Sequence, residues 1–203
     1  MRFAALAGLM FVLCAPAALA AAADGTALSV VDTTVADVLD VLRQTELPVA
    51  DRRSQIEQIV YERFDFQTMG KLVLARNWKK LDDVQKDEFI TEFKRHLSRS
   101  YGTRIERYEQ EEVEIAGERE EKRGDVTVLT VIRGGQFEGS EVDYRLRNKD
   151  GAWRVIDVTI EGVSLVSNFR SQFKDIVSKK GADGLISQLR AKNDRVNEDG
   201  AAE

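Results

Sequence analysis

The fold is decided by WRVIDVTIEGVSLVSNFRSQFKDI, residues 153–176. Trp153 to Ile160 reads as a strand and Glu161-Gly162 as a break. The apolar period then changes from 2 to about 3.6. Val163, Leu165, Val166, Phe169, Phe173, Ile176 and Val177 would share one face of a helix. Ser164 is the expected N-cap, its hydroxyl accepting an orphan amide of the first turn. A sheet edge therefore hands over to an apolar helix that must lie back across the sheet.

Upstream, Asp150-Gly151 is a hairpin signal. It joins this strand to a segment in which Val142, Tyr144 and Leu146 alternate with Asp143, Arg145 and Arg147, one face buried and one wet. Val126 to Ile132 is a further strand ended by Gly134-Gly135, and Val113 to Ala116 a short one. The first half is helical. Val35, Val38, Leu39 and Leu42 form one stripe, Pro48 breaks the chain, and Asp51 is expected to cap a helix containing Ile56, Ile59, Val60 and Phe64. Asp65 caps a third helix with Phe66, Met69, Leu72 and Val73 inward. Asp82 or Asp83 starts the longest, whose apolar series Phe89, Phe93, Leu97, Tyr101, Ile105 and Tyr108 steps mainly by four. Each such step overshoots a turn by about 40°, so the stripe winds broadly, as suits a helix across a curved sheet. After the 164–177 helix, Gly181 to Gly184 precede a last amphipathic helix with Leu185, Ile186 and Leu189. Helices, then a meander, then helices give an α+β fold: helices packed over a twisted antiparallel sheet.

Residues 1–23 read as a cleaved signal peptide. Arg2 is the positive end, Phe3 to Leu13 the apolar run, and Ala18-Leu19-Ala20 the cleavage site. The run is too short to span a bilayer, which needs about 20 residues. Leu13 before Cys14 argues against lipidation, so the mature chain would hold no cysteine, disulfide or thiol chemistry. Residues 24–192 make one domain, and the polar stretch 193–203 is expected to be a flexible tail. The whole chain carries a net charge of −5 with its basic residues scattered among acids, which argues against nucleic acid.

Catalytic apparatus is hard to find. His96 is the single histidine and, in KRHLSR, is expected to face solvent, so a multi-histidine metal site is excluded. No phosphate-binding glycine motif occurs. Asp143 and Tyr144 point to opposite faces of a strand. Asp157 shares a face with Trp153 and Val155 by simple alternation, yet an exposed or salt-bridged aspartate near Arg145 or Arg147 is the simpler reading. Glu161 belongs to a turn, and Glu109 to Glu112 and Glu118 to Arg123 are solvated edges. Amides at the start of the 164–177 helix offer a phosphate site, with Arg170 nearby. Aromatic and apolar side chains, by contrast, are abundant in every element that should meet the sheet.

Two stretches resemble a known family: YERFDFQTMGKLVLARNWKKLDDVQKDEFITEFKRHLSRSYGTRIERY, residues 61–108, and VDYRLRNKDGAWRVIDVTIEGVSLVSNFRSQF, residues 142–173, the second continuing to GADGLISQLRAKN. The ordered set of Phe66, Trp78, the aspartate-gated long helix, KDG-x-W and EGVSLVSNFRSQF is similar to the MlaC family of periplasmic phospholipid-binding, toluene-tolerance proteins. Residues 134–140 and the first 45 do not contribute to it.

The resemblance implies an NTF2- or cystatin-like cone enclosing an apolar cavity, without catalysis, cofactor or metal. It implies a monomeric periplasmic shuttle of phospholipid between an outer-membrane lipoprotein–porin complex and an inner-membrane ABC transporter with an MCE-domain ring. Lipid tails are expected between the 82–108 helix, the 164–177 helix and the sheet. They would contact Met69, Val73, Phe93, Leu97, Tyr101, Ile105, Val128, Tyr144, Val158, Val163, Val166, Phe169 and Phe173, with Asn168 and Arg170 at the mouth. A carrier of another apolar lipid such as a hopanoid, a ligand-free envelope adaptor, and a cone-shaped isomerase or hydrolase using Asp157 are the competing readings.

Overall fold

Two-residue turns set the sheet's register. The computed structural model of the protein describes residues 25–105 and 111–199, with side chains over 25–102 and 111–195. Lys149 pairs with Ala152 and Ile160 with Val163, leaving Asp150-Gly151 and Glu161-Gly162 as loops. Their φ values are 55° and 87°, then 49° and 75°, the double positive that matches the twist of a hairpin. The second loop creates a short strand absent from the sequence reading.

Five strands, β1 (Glu112–Glu120), β2 (Val126–Arg133), β3 (Val142–Lys149), β4 (Ala152–Ile160) and β5 (Val163–Ser164), form a sheet in sequence order. Every neighbouring pair is antiparallel. Bulges lie between Ile115 and Gly117 on β1 and, on the β3–β4 ladder, between Arg145 and Leu146. Such bulges bend a strand and increase its twist.

The helices are α1 (Ala27–Leu42), α2 (Val49–Arg63), α3 (Phe66–Leu74), α4 (Asp83–Ile105) and α5 (Leu165–Asp199), with a 3₁₀ segment at Ala75–Lys80. Asp65 caps α3 by accepting the Thr68 amide at 2.8 Å, as its position predicts. At α4, Asp82 accepts the Gln85 amide at 2.8 Å while the Gln85 side chain accepts the Asp82 amide at 3.1 Å, a reciprocal capping box. Several boundaries differ from expectation. Helix α1 starts at Ala27, ahead of the expected stripe, through a Thr26–Ser29 capping box. Pro48, not Asp51, occupies the N-cap of α2, and Asp51 lies in its first turn. The two expected C-terminal helices are both present within α5 and meet at Gly181, whose φ of 71° and ψ of −171° break the helical backbone between them.

Helix α1, not α4, lies across strands β1 to β4. Helices α3 and α5 meet β4, while α4 packs chiefly on α5 and α3. The wandering stripe of α4 therefore serves a helix–helix interface, because α5 already occupies the adjoining part of the sheet. Met69, Phe89, Phe93, Val128, Leu146 and Val155 have no exposed surface and belong to one core shared by helices and sheet.

Candidate functional site

Most of the predicted apolar residues are buried in the core, and a smaller group keeps accessible surface. Phe93 of α4 stacks on Phe89 at 5.5 Å and meets the edges of Phe169 at 5.4 Å and Phe173 at 6.1 Å on α5. Ring-edge geometry of this kind adds about 0.5–1.5 kcal/mol per pair beyond area burial. Met69, Val73 and Val166 are buried in the same core. Val128, Tyr144 and Val158 lie abreast across three strands, since Val128 pairs with Tyr144 and Tyr144 with Val158. Val128 and Val158 are buried.

Leu97, Tyr101 and Tyr144 pack against this core yet keep accessible surface. Tyr144 combines that with strong desolvation, which pushes its hydroxyl up to about 12. Val163 is a correction: it is 56% exposed on β5 and not on the apolar face of α5, because the hairpin consumes it before the helix begins. The side chain of Ile105, like Tyr108, lies outside the described residues.

The start of α5 is not an open anion site. Ser164 accepts the Ser167 amide at 3.0 Å as predicted. Asp157 additionally accepts the Val166 amide at 3.1 Å and the Ser164 hydroxyl at 2.6 Å. A carboxylate already occupies the place that a phosphate would take. Asp157 is 6% exposed and pairs opposite Arg145, because the bulge rephases β4. It therefore leaves the face of Val155 and Val158; its place opposite Arg145 is as expected, whereas exposure and alternation with Trp153 do not survive. Asp157 and Tyr144 consequently point away from each other, which removes the acid–phenol pair an isomerase would need.

Of the two mouth residues, Asn168 accepts a bond from Gln172 at 3.1 Å on the surface of α5. Arg170 reaches from α5 to α3, where its Nε donates to the Leu72 carbonyl at 2.8 Å. It also lines a cleft of about 370 Å³ whose other walls are Val73, Leu74, Ala75, Arg76, Asn77, Phe173, Lys174 and Val177. A second cleft, of about 490 Å³, is lined by Tyr61, Glu62, Arg63, Phe64 and Arg154. Both lie in the range of small-ligand sites, about 300–1,000 Å³. Arg76 and Lys174 escaped the sequence reading, although Lys174 follows Arg170 by one helical turn.

Burial also overturns two smaller expectations. His96 is 4% exposed, its ring 5.6 Å from that of Phe169. Burial, and then the charge of Lys192, hold its imidazole below the ordinary range, with Asn193 acting in the opposite sense. Asn193, assigned to a flexible tail, is 1% exposed and donates to the Glu92 carbonyl and carboxylate at 3.0 and 2.9 Å. Polar pairing across α4 and α5, invisible in either helix alone, explains both. Among the described residues no group of three or more His, Cys, Asp or Glu side chains is placed to hold a metal, and no helix is long and apolar enough to cross a membrane.

The sequence profile of the MlaC protein family matches residues 32–191. The chain belongs to that family. Within it, this MlaC-family chain is 26% identical over 128 residues to the intermembrane phospholipid transport system binding protein MlaC of Haemophilus influenzae, covering 60% of this chain and 58% of the relative. It is 27% identical over 105 residues to the toluene tolerance protein ttg2D of Pseudomonas putida, covering 52% and 49%. The matches thus span about half to three-fifths of the length of these curated relatives. A phospholipid-binding protein of Ralstonia solanacearum, solved in complex with a phospholipid, superposes with a TM-score of 0.76 at 24% identity over 83% of this chain and 97% of that one. The two share the α+β fold.

Proposed function

We propose that this MlaC-family protein is a periplasmic carrier of phospholipid. Moving a lipid with two chains of roughly sixteen carbons through water exposes apolar surface costing about 25 kcal/mol, at about 0.8 kcal/mol per CH₂. A carrier must replace that exposure with an apolar interior that can part without unfolding. The carrying observation is the single apolar core shared by α3, α4, α5 and the sheet, which contains Phe93, Val128, Val158 and Phe169 and against which the partly buried Leu97, Tyr101 and Tyr144 pack. The Ralstonia protein of the same fold, described as a phospholipid complex, supports the ligand class. The relatives' names support transport between membranes.

In this reading residues 1–23 direct export, the residues from 24 on form one monomeric lipid-binding domain that includes Asn193, and the donors and acceptors are an outer-membrane lipoprotein–porin complex and an inner-membrane MCE-domain ABC transporter. The tails occupy the interior between α1, α4, α5 and the sheet. The protein acts by binding and release, without a cofactor.

Native mass spectrometry of the mature protein, purified without detergent, tests this. One mass shift equal to a two-chain phospholipid per protein is expected. A hopanoid mass would replace the ligand class. A clean protein mass that persists after incubation with phospholipid vesicles would replace the carrier with an adaptor.

A further inference from the structure

The two surface clefts differ in what lies beneath them. The one between α3 and α5 has Val73, Leu74 and Phe173 in its wall, each no more than 3% exposed and each part of the central core. The other is bordered by Glu62, Arg63 and Arg154, with Phe64 and Tyr61 only partly buried. Only in the first do fully buried core side chains meet a concave surface with no acidic residue in its lining.

Around that apolar floor stand Arg76, Arg170 and Lys174. Among the described residues none of the three makes an ion pair, whereas Arg43, Arg63, Arg95, Arg119, Arg133, Arg147 and Arg190 all do. Three cations on one rim, with no carboxylate in the lining, make this cleft locally positive in a chain of net charge −5. Two features fix the arginines in place. Arg170 spends its Nε on the Leu72 carbonyl, which orients the guanidinium and leaves both terminal nitrogens as donors. Ala75 adopts φ 49° and ψ −124°, a conformation that L-residues rarely take and that persists where the surroundings impose it. That kink ends α3 and turns the chain so that Arg76 joins the cleft wall.

We propose that this cleft is the mouth of the lipid site and binds the phosphodiester of the lipid headgroup through Arg76, Arg170 and Lys174. The proposal rests on the carrier reading and moves the anion site away from the capped start of α5 to the α3–α5 junction. Arginine forks suit phosphate oxygens in a bidentate manner, and a lysine supplies a compact third charge. The glycerol and the first methylenes would lie over Val73, Phe173 and Val177, from which the chains enter the core.

The test compares three ligands by native mass spectrometry: dihexanoyl phosphatidylglycerol, the matching dihexanoylglycerol without phosphate, and inorganic phosphate. The protein is compared with Arg76→Glu/Lys174→Glu, with Arg170→Gln, and with Arg154→Glu in the other cleft. All four positions are exposed, and circular dichroism checks that each variant folds. The double variant should bind phosphatidylglycerol at least about tenfold more weakly, and Arg170→Gln several-fold more weakly. Dihexanoylglycerol binding should be unchanged in both, and Arg154→Glu should match the parent.

Equal phosphatidylglycerol binding by the double variant and the parent would overturn the mouth while leaving the carrier intact. Loss confined to Arg154→Glu would move the mouth to the other cleft and likewise overturn the proposal. Competition by inorganic phosphate as effective as the lipid's own binding would make this a free-phosphate site. A parent protein that binds neither lipid would overturn the carrier reading and the mouth together.

Discussion

The carboxylate of Asp157 on β4 accepts both the hydroxyl of Ser164, at 2.6 Å, and the amide of Val166, at 3.1 Å. One buried side chain thereby ties the end of the meander to the first turn of the helix that follows it. Asp157→Ala removes both bonds and strands a buried helix amide. Capping losses of about 1 kcal/mol and unsatisfied-donor costs of about 1–3 kcal/mol place the destabilisation at about 2–4 kcal/mol. Asp157→Asn keeps an acceptor and should cost less than half as much. Urea unfolding with an unchanged slope would measure it, and an Asp157→Ala loss under about 0.5 kcal/mol would refute this role.

Gly70 governs how closely α3 approaches α4. A Cβ there would lie 2.6 Å from Ile90 Cδ1, 3.1 Å from Trp78 Cζ3 and 3.3 Å from Phe89 Cε1. Gly70 is helical, so Gly70→Ala gains about 1 kcal/mol in propensity while overpacking costs about 1–3 kcal/mol. The two aromatic rings are rigid and Ile90 is buried among them, which makes the second effect the larger. A lowered thermal midpoint is expected, and a raised one would show that the helices can simply move apart.

Asp157 and Gly70 both act through contacts between elements, which local sequence signals do not carry. Strand alternation, the Asp150-Gly151 and Glu161-Gly162 turns and the Asp65 and Ser164 caps are local signals, and the structure realises each. Asp157 was misread because a bulge, a property of two strands together, shifts its face. His96 and Asn193 were misread because their polar partners sit on another helix about a hundred residues away. The site was legible as a set of apolar residues, since burial follows periodicity. Which of them keep open surface depends on how α1 and α5 divide the sheet, and the sequence carries no periodic signature of that.

The α4–α5 lock gives a length-dependent prediction. Glu92 is 5% exposed and is met by Asn193, by Arg95 at 3.0 Å and by Arg190 at 3.5 Å. Ending the chain after Lys192 removes the amide that satisfies both its carbonyl and its carboxylate. A destabilisation of about 1–3 kcal/mol should follow, whereas ending it after Asp199 should leave the melting temperature unchanged. Equal stability of the two truncated chains would show that Asn193 is buried without contributing.

The single histidine makes a pH prediction specific. In the folded protein His96 is held neutral by burial and by Lys192, with Asn193 opposing, while Glu92 and Arg99 flank it one turn away on α4. Its folded pKa therefore lies below the unfolded value of about 6.5. The unfolded chain binds the proton first as pH falls, so the stabilising contribution is complete above about 6.5 and declines as pH drops through that value toward the folded pKa. No other side chain of ordinary pKa titrates between about 5 and 7. The melting temperature should fall from pH 7 to pH 5 in the parent, and His96→Gln should be nearly flat across that interval. A parent curve that is level from pH 7 to 5, or a variant that keeps the same slope, would mean that the imidazole is protonated as readily in the folded core as in water.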